Sequence, residues 1–304
     1  MEIILHIGAH RTGTSSLQHW MAANAGPLAA AGTAVWGPKR TRVGLFEGLI
    51  KNPAKVTRDV ERAADLSAAR IAEEIRLLEA SGMTRLIVSE ENMPGSIRNN
   101  LLTASLYPDA APRLVRIAEA FGGRVTRVAL SIRGYGDWWS STLAFAVGRG
   151  GAMPDASRLQ ALLRNRHGWT DVARATRRAF PEATLTVWPF ESLGGYATRQ
   201  FHALTEGAPL PSGVSPDLAP RNASPDRPTL RRRLARRGEP GAAAAIGAGE
   251  GRWMPFSESE RATLGQHYAE DLAWFRSGTL PGMSFIESEV TGSMGAAPCG
   301  MTGE

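Results

Sequence analysis

The sequence predicts an α/β fold with three layers, in which helices flank a central, mainly parallel β-sheet. Two observations predict it. Short apolar runs with the length of buried strands alternate along the chain with longer segments whose apolar residues recur at helical spacing. The first of these runs, residues 3–7, passes through a glycine-containing loop directly into a helical segment. Because parallel strands need helical crossovers between them, this alternation favours a parallel sheet.

The composition fits one globular domain. Of the 304 residues, 43% are hydrophobic and 21% are charged, and no stretch reaches the roughly 20 apolar residues that cross a bilayer. We expect a single α/β domain over residues 1–278 and a flexible tail over residues 279–304. No signal-peptide pattern is seen, which predicts a cytoplasmic protein. The single cysteine, Cys299, excludes intramolecular disulfides and cysteine-based metal sites.

The glycine loop, residues 8–16, is the first candidate site. Gly8 and Gly13 have the G-x-x-x-x-G separation of a phosphate-binding loop, in which backbone amides and the positive end of the next helix surround an anion. The overall fold is therefore predicted to be a P-loop fold. A nucleotide kinase or ATPase would have lysine after the second glycine, whereas Thr14 and Ser15 follow Gly13, and the cation of this loop is Arg11.

At these residues the sequence resembles the sulfotransferases that use 3′-phosphoadenosine 5′-phosphosulfate (PAPS). Their donor loop typically reads Lys-x-Gly-Thr-Thr/Ser, often after His-Ile-Gly-x-His in bacterial members, and here the lysine position carries Arg11. The resemblance implies PAPS as donor, adenosine 3′,5′-bisphosphate as product, and no metal. It implies a catalytic role for Arg11. The donor-binding residues of the loop would be Gly8, His10, Arg11, Thr12, Gly13, Thr14 and Ser15. His10 is as readily explained by packing within the loop.

The next elements follow from periodicity. Residues 14–31 are predicted to be a helix, residues 33–36 a short strand, and residues 56–80 a long amphipathic helix. Residues 40–53 mix glycine, basic and aromatic residues and are predicted to form a loop that covers the site.

A second candidate site follows the buried strand predicted over residues 85–88. The strand runs into Ser89-Glu90-Glu91-Asn92, and ligands of open α/β sheets bind outside the carboxyl ends of strands. Many bacterial sulfotransferase-like sequences have Ser-x-Glu-Asn after a similar strand, and on that pattern Glu91 is the matching carboxylate, with Glu90 the register alternative. Glu91 could take a proton from an acceptor hydroxyl or amine as general base. Helix capping or a surface turn explains the pattern equally well.

A third candidate site lies at the end of the strand predicted over residues 125–132, which follows a helix at 112–121. The resemblance places the 3′-phosphate site at an arginine there and a serine eight residues later, which are Arg133 and Ser141. Ser140 is the neighbour that could be mistaken for Ser141. Trp138 and Trp139 lie on the following helix, 137–147, and we expect at least one of them to belong to the core.

The later part of the chain is less informative. It is predicted to contain helices over residues 169–180, 194–204 and 257–275, a strand over 183–188, a long loop over 207–228 and a connector over 238–251. Residues 221–224, Arg-Asn-Ala-Ser, resemble a C-terminal Asn-x-Ser segment of bacterial relatives. Five arginines within residues 231–237 could help to hold a phosphate or an acidic acceptor, although a solvated basic face explains them better.

Three functions remain open. The first is PAPS-dependent sulfuryl transfer to a hydroxyl or amine, for example of a glycan or small metabolite. The second is a P-loop kinase or NTPase, for which Glu90 would help to hold magnesium. The third is a nucleotide-binding protein whose catalysis is weakened, as Arg11 in the lysine position would allow. The net charge of +6 favours anionic partners without selecting among them, and no nucleic acid is expected. Oligomeric state leaves no signal.

Overall fold

The computed structural model describes residues 1–218 and 223–287, and they form the predicted α/β fold. Six strands make one sheet in the order β2-β3-β1-β4-β5-β6, and all neighbouring strands are parallel. The strands are β1 (Glu2–His6), β2 (Thr33–Trp36), β3 (Arg85–Ser89), β4 (Arg127–Ile132), β5 (Thr184–Pro189) and β6 (Met283–Phe285).

Helices connect the strands. They are α1 (Thr14–Ala23), α2 (Ala25–Ala30), α3 (Pro38–Arg40), α4 (Arg58–Ala80), α5 (Ile97–Thr103), α6 (Ala110–Ala120), α7 (Tyr135–Gly148), α8 (Ala156–Arg164), α9 (Trp169–Ala179), α10 (Phe190–Leu193), α11 (Ala197–Leu204), α12 (Arg227–Arg236), α13 (Pro240–Ala245) and α14 (Glu258–Arg276). A π-helical turn at Thr41–Leu45 and a 3₁₀ turn at Pro53–Lys55 lie between α3 and α4. None of the helices in the described part of the chain could span a membrane.

The sheet is buried on both faces. Successive side chains of a strand point to opposite faces, and in β1 Ile3 and Leu5 belong to one apolar cluster whereas Ile4 belongs to the other. The cluster around Ile4 includes Leu17 of α1 and Phe201 of α11. The three predicted layers are therefore present.

The tail prediction is wrong for its first residues. Residues 283–285 were expected to be flexible, but they form β6, which pairs with β5 at the edge of the sheet. The strand has only three residues, too few to give a pattern in the sequence, and it is held by packing, since the Phe285 ring stacks on that of Phe275 at 5.4 Å between centroids. Residues 288–304 lie outside the described residues.

The helix predicted over residues 14–31 is two helices that meet at Asn24. The Asn24 Nδ2 donates to the Trp20 carbonyl (2.9 Å), and its Oδ1 accepts from the Ser215 amide (2.6 Å). A polar side chain that bonds locally in this way competes with the helical hydrogen bonds and favours a break. Five helices, α3, α5, α8, α10 and α13, were not predicted.

Candidate functional site

A cleft of about 350 Å³ opens where β1, β3, β4 and β5 end. Most of the predicted site residues meet there. The lining residues are His10, Arg11, Gly13, Thr14, Ser15, Ser16, Glu91, Ile97, Arg133, Phe145, Phe190, Gly194, Ala223, Ser224 and Arg252. The three stretches that the sequence singled out, after β1, β3 and β4, thus form one site at the edge where open α/β sheets bind ligands.

The glycine loop needs both of its glycines. Gly8 has φ +103°, and a Cβ there would lie 3.0 Å from the Cβ of Glu91. Gly13 has φ +82°, and a Cβ there would lie 2.5 Å from the Gly194 carbonyl oxygen. Any side chain at these positions would therefore be strained and would collide with a neighbouring stretch of chain.

The loop delivers the start of α1 to the cleft. Helix α1 begins at Thr14 without a side-chain cap and without an acidic residue in its first turn. The first amides of a helix have no helical acceptor, and they carry the positive end of the helix dipole. The start of α1 is thus suited to an anion.

The two threonines of the loop support it from within. Thr12 is fully buried, and its hydroxyl donates to the Ala9 carbonyl (2.7 Å); the Thr14 hydroxyl donates to the same oxygen (2.9 Å). The sequence suggested Thr14 as a hydroxyl donor to a ligand. In the structure the hydroxyl proton of Thr14 is used inside the loop.

Arg11 connects two of the predicted stretches. Its backbone lies in the left-handed region (φ +63°), and its carbonyl accepts from Arg133 Nη1 at 2.8 Å. Its side chain donates from Nε to Ser141 Oγ (3.0 Å) and from Nη2 to Ser224 Oγ (2.9 Å). The cation of the glycine loop therefore contacts the serine that the resemblance assigns to the 3′-phosphate.

Arg133 is a buried cation with little countercharge. Its side chain stacks over the Phe190 ring (4.4 Å), its Nη2 lies 3.8 Å from Asp137, and among the described residues its Nε has no partner. Burial, and then repulsion from Arg252, lowers the pKa of Arg133 to about 10. Burial and repulsion from Arg133 likewise lower the pKa of Arg11 to about 10. Both cations would be stabilised by a bound anion.

The choice between the two serines of α7 follows from their partners. Ser140 donates to the Gly136 carbonyl within the helix (2.6 Å), whereas Ser141 lies 2.6 Å from Ser224 Oγ beside Arg11. Trp138 and Trp139 both belong to the core.

Two further residues complete this side of the cleft. Arg252, within the stretch after the predicted connector, donates from Nη1 to Asp137 (2.9 Å) and is half exposed. Ser224 belongs to the weak Asn-x-Ser match, of which Arg221 and Asn222 lie outside the described residues. We call Arg11, Arg133, Ser141, Ser224 and Arg252 the basic wall. Ser141 contacts Arg11 and Ser224 but, unlike the other four, does not itself line the cleft.

The opposite side is the acidic wall, which consists of Glu90, Glu91 and Arg42. Glu90 is fully buried and accepts five hydrogen bonds, from the Thr41 hydroxyl, from Arg42 Nε and Nη2, and from the amide and Nδ2 of Asn92, at 2.7–2.9 Å. Glu91 accepts from Arg42 Nη2 (2.8 Å) and Gln18 Nε2 (2.9 Å). Of the two register alternatives, only Glu91 lines the cleft.

Glu91 is ionised. Burial raises the pKa of Glu91, but its interactions with His10, Arg42 and Gln18 outweigh burial and lower that pKa below the usual range. Burial also lowers the pKa of His10, whose ring nitrogens contact the Tyr107 hydroxyl (2.8 Å) and the Asn92 amide oxygen (3.3 Å). His10 is therefore neutral and packed against Tyr107 and Asn92. The positive charge beside Glu91 is that of Arg42.

No protein-family model matches this chain, and no curated protein matches it. Within residues 1–218 and 223–287, no group of three His, Cys, Asp or Glu side chains could hold a metal ion. Glu90, on which the kinase alternative depends, faces Arg42 and not the cleft.

Arg42 and Gln18 were not predicted as site residues. Arg42 belongs to the loop predicted over residues 40–53, which was expected to cover the site. The loop contacts Glu91 through Arg42, but none of its residues lines the cleft. Nothing in the sequence distinguishes Arg42 from Arg40, two residues earlier. Gln18 is one helical turn beyond Thr14, so the spacing from the start of α1 was the available signal.

Three of the five arginines within residues 231–237 donate to backbone carbonyls of neighbouring elements. Arg233 and Arg237 donate to the carbonyls of Gly148 (3.3 Å) and Val147 (2.7 Å) at the end of α7, and Arg231 donates to Gly247 (2.6 Å). None of the five arginines lines the cleft. Arg232, Arg233 and Arg236 are exposed, as expected for a solvated face, whereas Arg231 and Arg237 are partly buried.

Proposed function

We propose that this protein transfers a sulfuryl group from PAPS to a hydroxyl or amine of an acceptor. One observation carries the proposal: a glycine loop, an uncapped helix start and two arginines short of countercharge, the half-buried Arg11 and the buried Arg133, face a single ionised carboxylate across one cleft. The first three features suit a ligand with two separate anionic groups. The carboxylate suits the removal of a proton.

The residues present fit such a donor. Arg133 is 5% exposed and offers an Nε without a partner in the described residues, and Ser141 adds a hydroxyl beside Arg11, whose carbonyl accepts from Arg133, so Arg133 and Ser141 would hold the 3′-phosphate. The amides of Gly13, Thr14 and Ser15 would hold the 5′-phosphosulfate. When bound, PAPS supplies a sulfuryl group on a phosphate leaving group.

The chain's own contribution is charge placement. Arg11 would stabilise negative charge on the leaving phosphate, which is the kind of electrostatic assistance that dominates related phosphoryl transfers. Glu91 would accept the proton of the attacking hydroxyl or amine, oriented by Gln18 and Arg42.

Titration calorimetry tests the donor. We expect adenosine 3′,5′-bisphosphate to bind the native chain at least tenfold more tightly than adenosine 5′-monophosphate, because only the bisphosphate has a group for Arg133 and Ser141. ATP with Mg²⁺ is titrated in parallel. Binding of ATP with Mg²⁺ but not of the bisphosphate would replace the proposal with the kinase alternative. If the bisphosphate binds, transfer of labelled sulfate from PAPS separates an active enzyme from a weakened one.

A further inference from the structure

The acidic wall carries an uncompensated negative charge at the cleft. It has two carboxylates and one guanidinium, and Arg42 donates twice to Glu90 but once to Glu91. The other groups that contact Glu91 or face it, Gln18 and the buried His10, are neutral. The charge of Glu90 is therefore satisfied by Arg42, and the remaining charge of about −1 lies on Glu91, the member that lines the cleft.

Once a donor is bound, the basic wall does not offset the negative charge of Glu91. Around it lie four arginines, Arg11, Arg133, Arg149 and Arg252, and two acids, Asp137 and Glu191, a sum of +2. A phosphate monoester carries a charge of about −1.5 to −2 at pH 7. A phosphosulfate adds a charge of about −2, since its phosphate and its sulfate each carry one ionised oxygen. The donor-loaded basic wall is thus negative as well, so an acceptor approaches negative charge from both sides.

We infer that the acceptor is an amine, bound as its ammonium ion against Glu91 after the donor is in place. The inference rests on the proposed function and names its second substrate. A cation is attracted to this position, a neutral alcohol gains nothing from the charge, and an acceptor with a carboxylate or sulfate near the reacting atom is repelled.

The reaction balances for an amine. The ammonium first loses a proton to solvent, and the nitrogen lone pair then forms the N–S bond while the S–O bond to the phosphate breaks. The bonding pair leaves with the phosphate of adenosine 3′,5′-bisphosphate. The second N–H proton goes to a Glu91 carboxylate oxygen, and the product is a sulfamate.

Three probes that share one ring test the inference. Benzylammonium, benzyl alcohol and benzoate are titrated by NMR line broadening into the full chain saturated with adenosine 3′,5′-bisphosphate. We expect benzylammonium to bind at least tenfold more tightly than the alcohol, and benzoate to bind most weakly. Without the bisphosphate the basic wall keeps its charge of +2, so the preference for the cation should disappear.

A matched pair of variants assigns the effect. Glu91→Gln should reduce the preference for benzylammonium, because only the negative charge of the loaded basic wall then remains. Glu74→Gln, which removes a carboxylate of α4 that pairs with Arg40, should leave the preference unchanged. Binding of the bisphosphate shows that each variant is folded. The inference is overturned if the loaded chain binds the alcohol or benzoate as tightly as the amine, if it binds none of the three, or if Glu91→Gln keeps the full preference. Failure of the bisphosphate itself to bind would instead reject the proposed function.

Discussion

The basic wall and the acidic wall lie at the ends of the two strands that flank β1. They differ in whether their buried charges are paired with an opposite charge. In the acidic wall, Glu90 receives five hydrogen bonds, two of them from the side-on edge of Arg42. In the basic wall, Arg133 donates to a backbone carbonyl and stacks on an aromatic ring, while its nearest carboxylate oxygen is 3.8 Å away.

The pKa shifts show what this difference means. Burial lowers the pKa of Arg11 and Arg133, whereas the hydrogen bonds and charge of Glu90 outweigh burial and raise the pKa of Arg42. A buried charge without a close partner costs free energy, and one inside a hydrogen-bonded pair costs much less. The basic wall is therefore organised for an anion from outside, and most of the acidic wall is organised for the fold.

The largest expected effect comes from Arg133→Met. Binding of adenosine 3′,5′-bisphosphate should weaken at least a hundredfold, about 2.8 kcal/mol. The free energy of unfolding should change by less than about 1 kcal/mol, because the methionine fills the space of a buried cation that has no close carboxylate. Calorimetry and urea denaturation measure the two quantities. Arg174→Met, on the surface of α9, is the control. A large loss of stability with unchanged binding would show that Arg133 stabilises the fold and does not bind the ligand.

We expect acid to destabilise the fold through His6, which contacts Ser89 directly before the acidic wall. His6 is fully buried, its Nδ1 lies 2.8 Å from the Ser89 hydroxyl, and that hydroxyl also accepts from Gln18. Burial lowers the pKa of His6 to about 4 from 6.5. Between these values the unfolded chain binds a proton that the folded chain does not, so stability falls as pH decreases from about 6.5 to about 4.

The difference between a pKa of 6.5 and one of about 4 corresponds to about 3 kcal/mol of stability at most. Of this, about 2.5 kcal/mol should be lost by pH 4.5. Urea denaturation at pH 8 and pH 4.5 should show this loss in the native chain and a smaller one in His6→Gln, since other groups titrate alike in both. Equal losses would show that His6 does not control the acid sensitivity.

Arg42→Met should give the converse of Arg133→Met. It leaves Glu90 buried without its cation, which would cost 3 kcal/mol or more for a fully buried pair but about 2 kcal/mol here, because the Arg42 side chain is 40% exposed. Bisphosphate binding should change less than about threefold, since Arg42 does not line the cleft. Arg40→Met, which breaks an exposed pair with Glu74, should cost less than about 0.5 kcal/mol. A threefold or greater loss of binding in Arg42→Met would mean that the two walls are not independent.

The sequence predicted the fold class and the three stretches that form the cleft because strand ends and loop glycines leave local patterns. It did not predict how charges pair across the cleft. Glu90 and Glu91 are adjacent in sequence, and only the fold shows that one faces Arg42 and the other the cleft. Arg252 and Ser224 reach the basic wall from far along the chain, and β6 is too short to be recognised. Long-range contacts of this kind have no periodicity to detect.

The smallest expected effect separates two adjacent serines. Ser141→Ala should weaken bisphosphate binding about fivefold to tenfold, about 1 to 1.4 kcal/mol, because one hydroxyl beside Arg11 and Ser224 is lost from the basic wall. Ser140→Ala should leave binding unchanged, since its hydroxyl is bonded to the Gly136 carbonyl. Both variants remove one buried hydroxyl from the same helix, so their stabilities should match. Calorimetry on the pair therefore isolates ligand contact from packing, and equal binding by both variants would show that the Arg11–Ser141–Ser224 cluster is a structural contact of the fold.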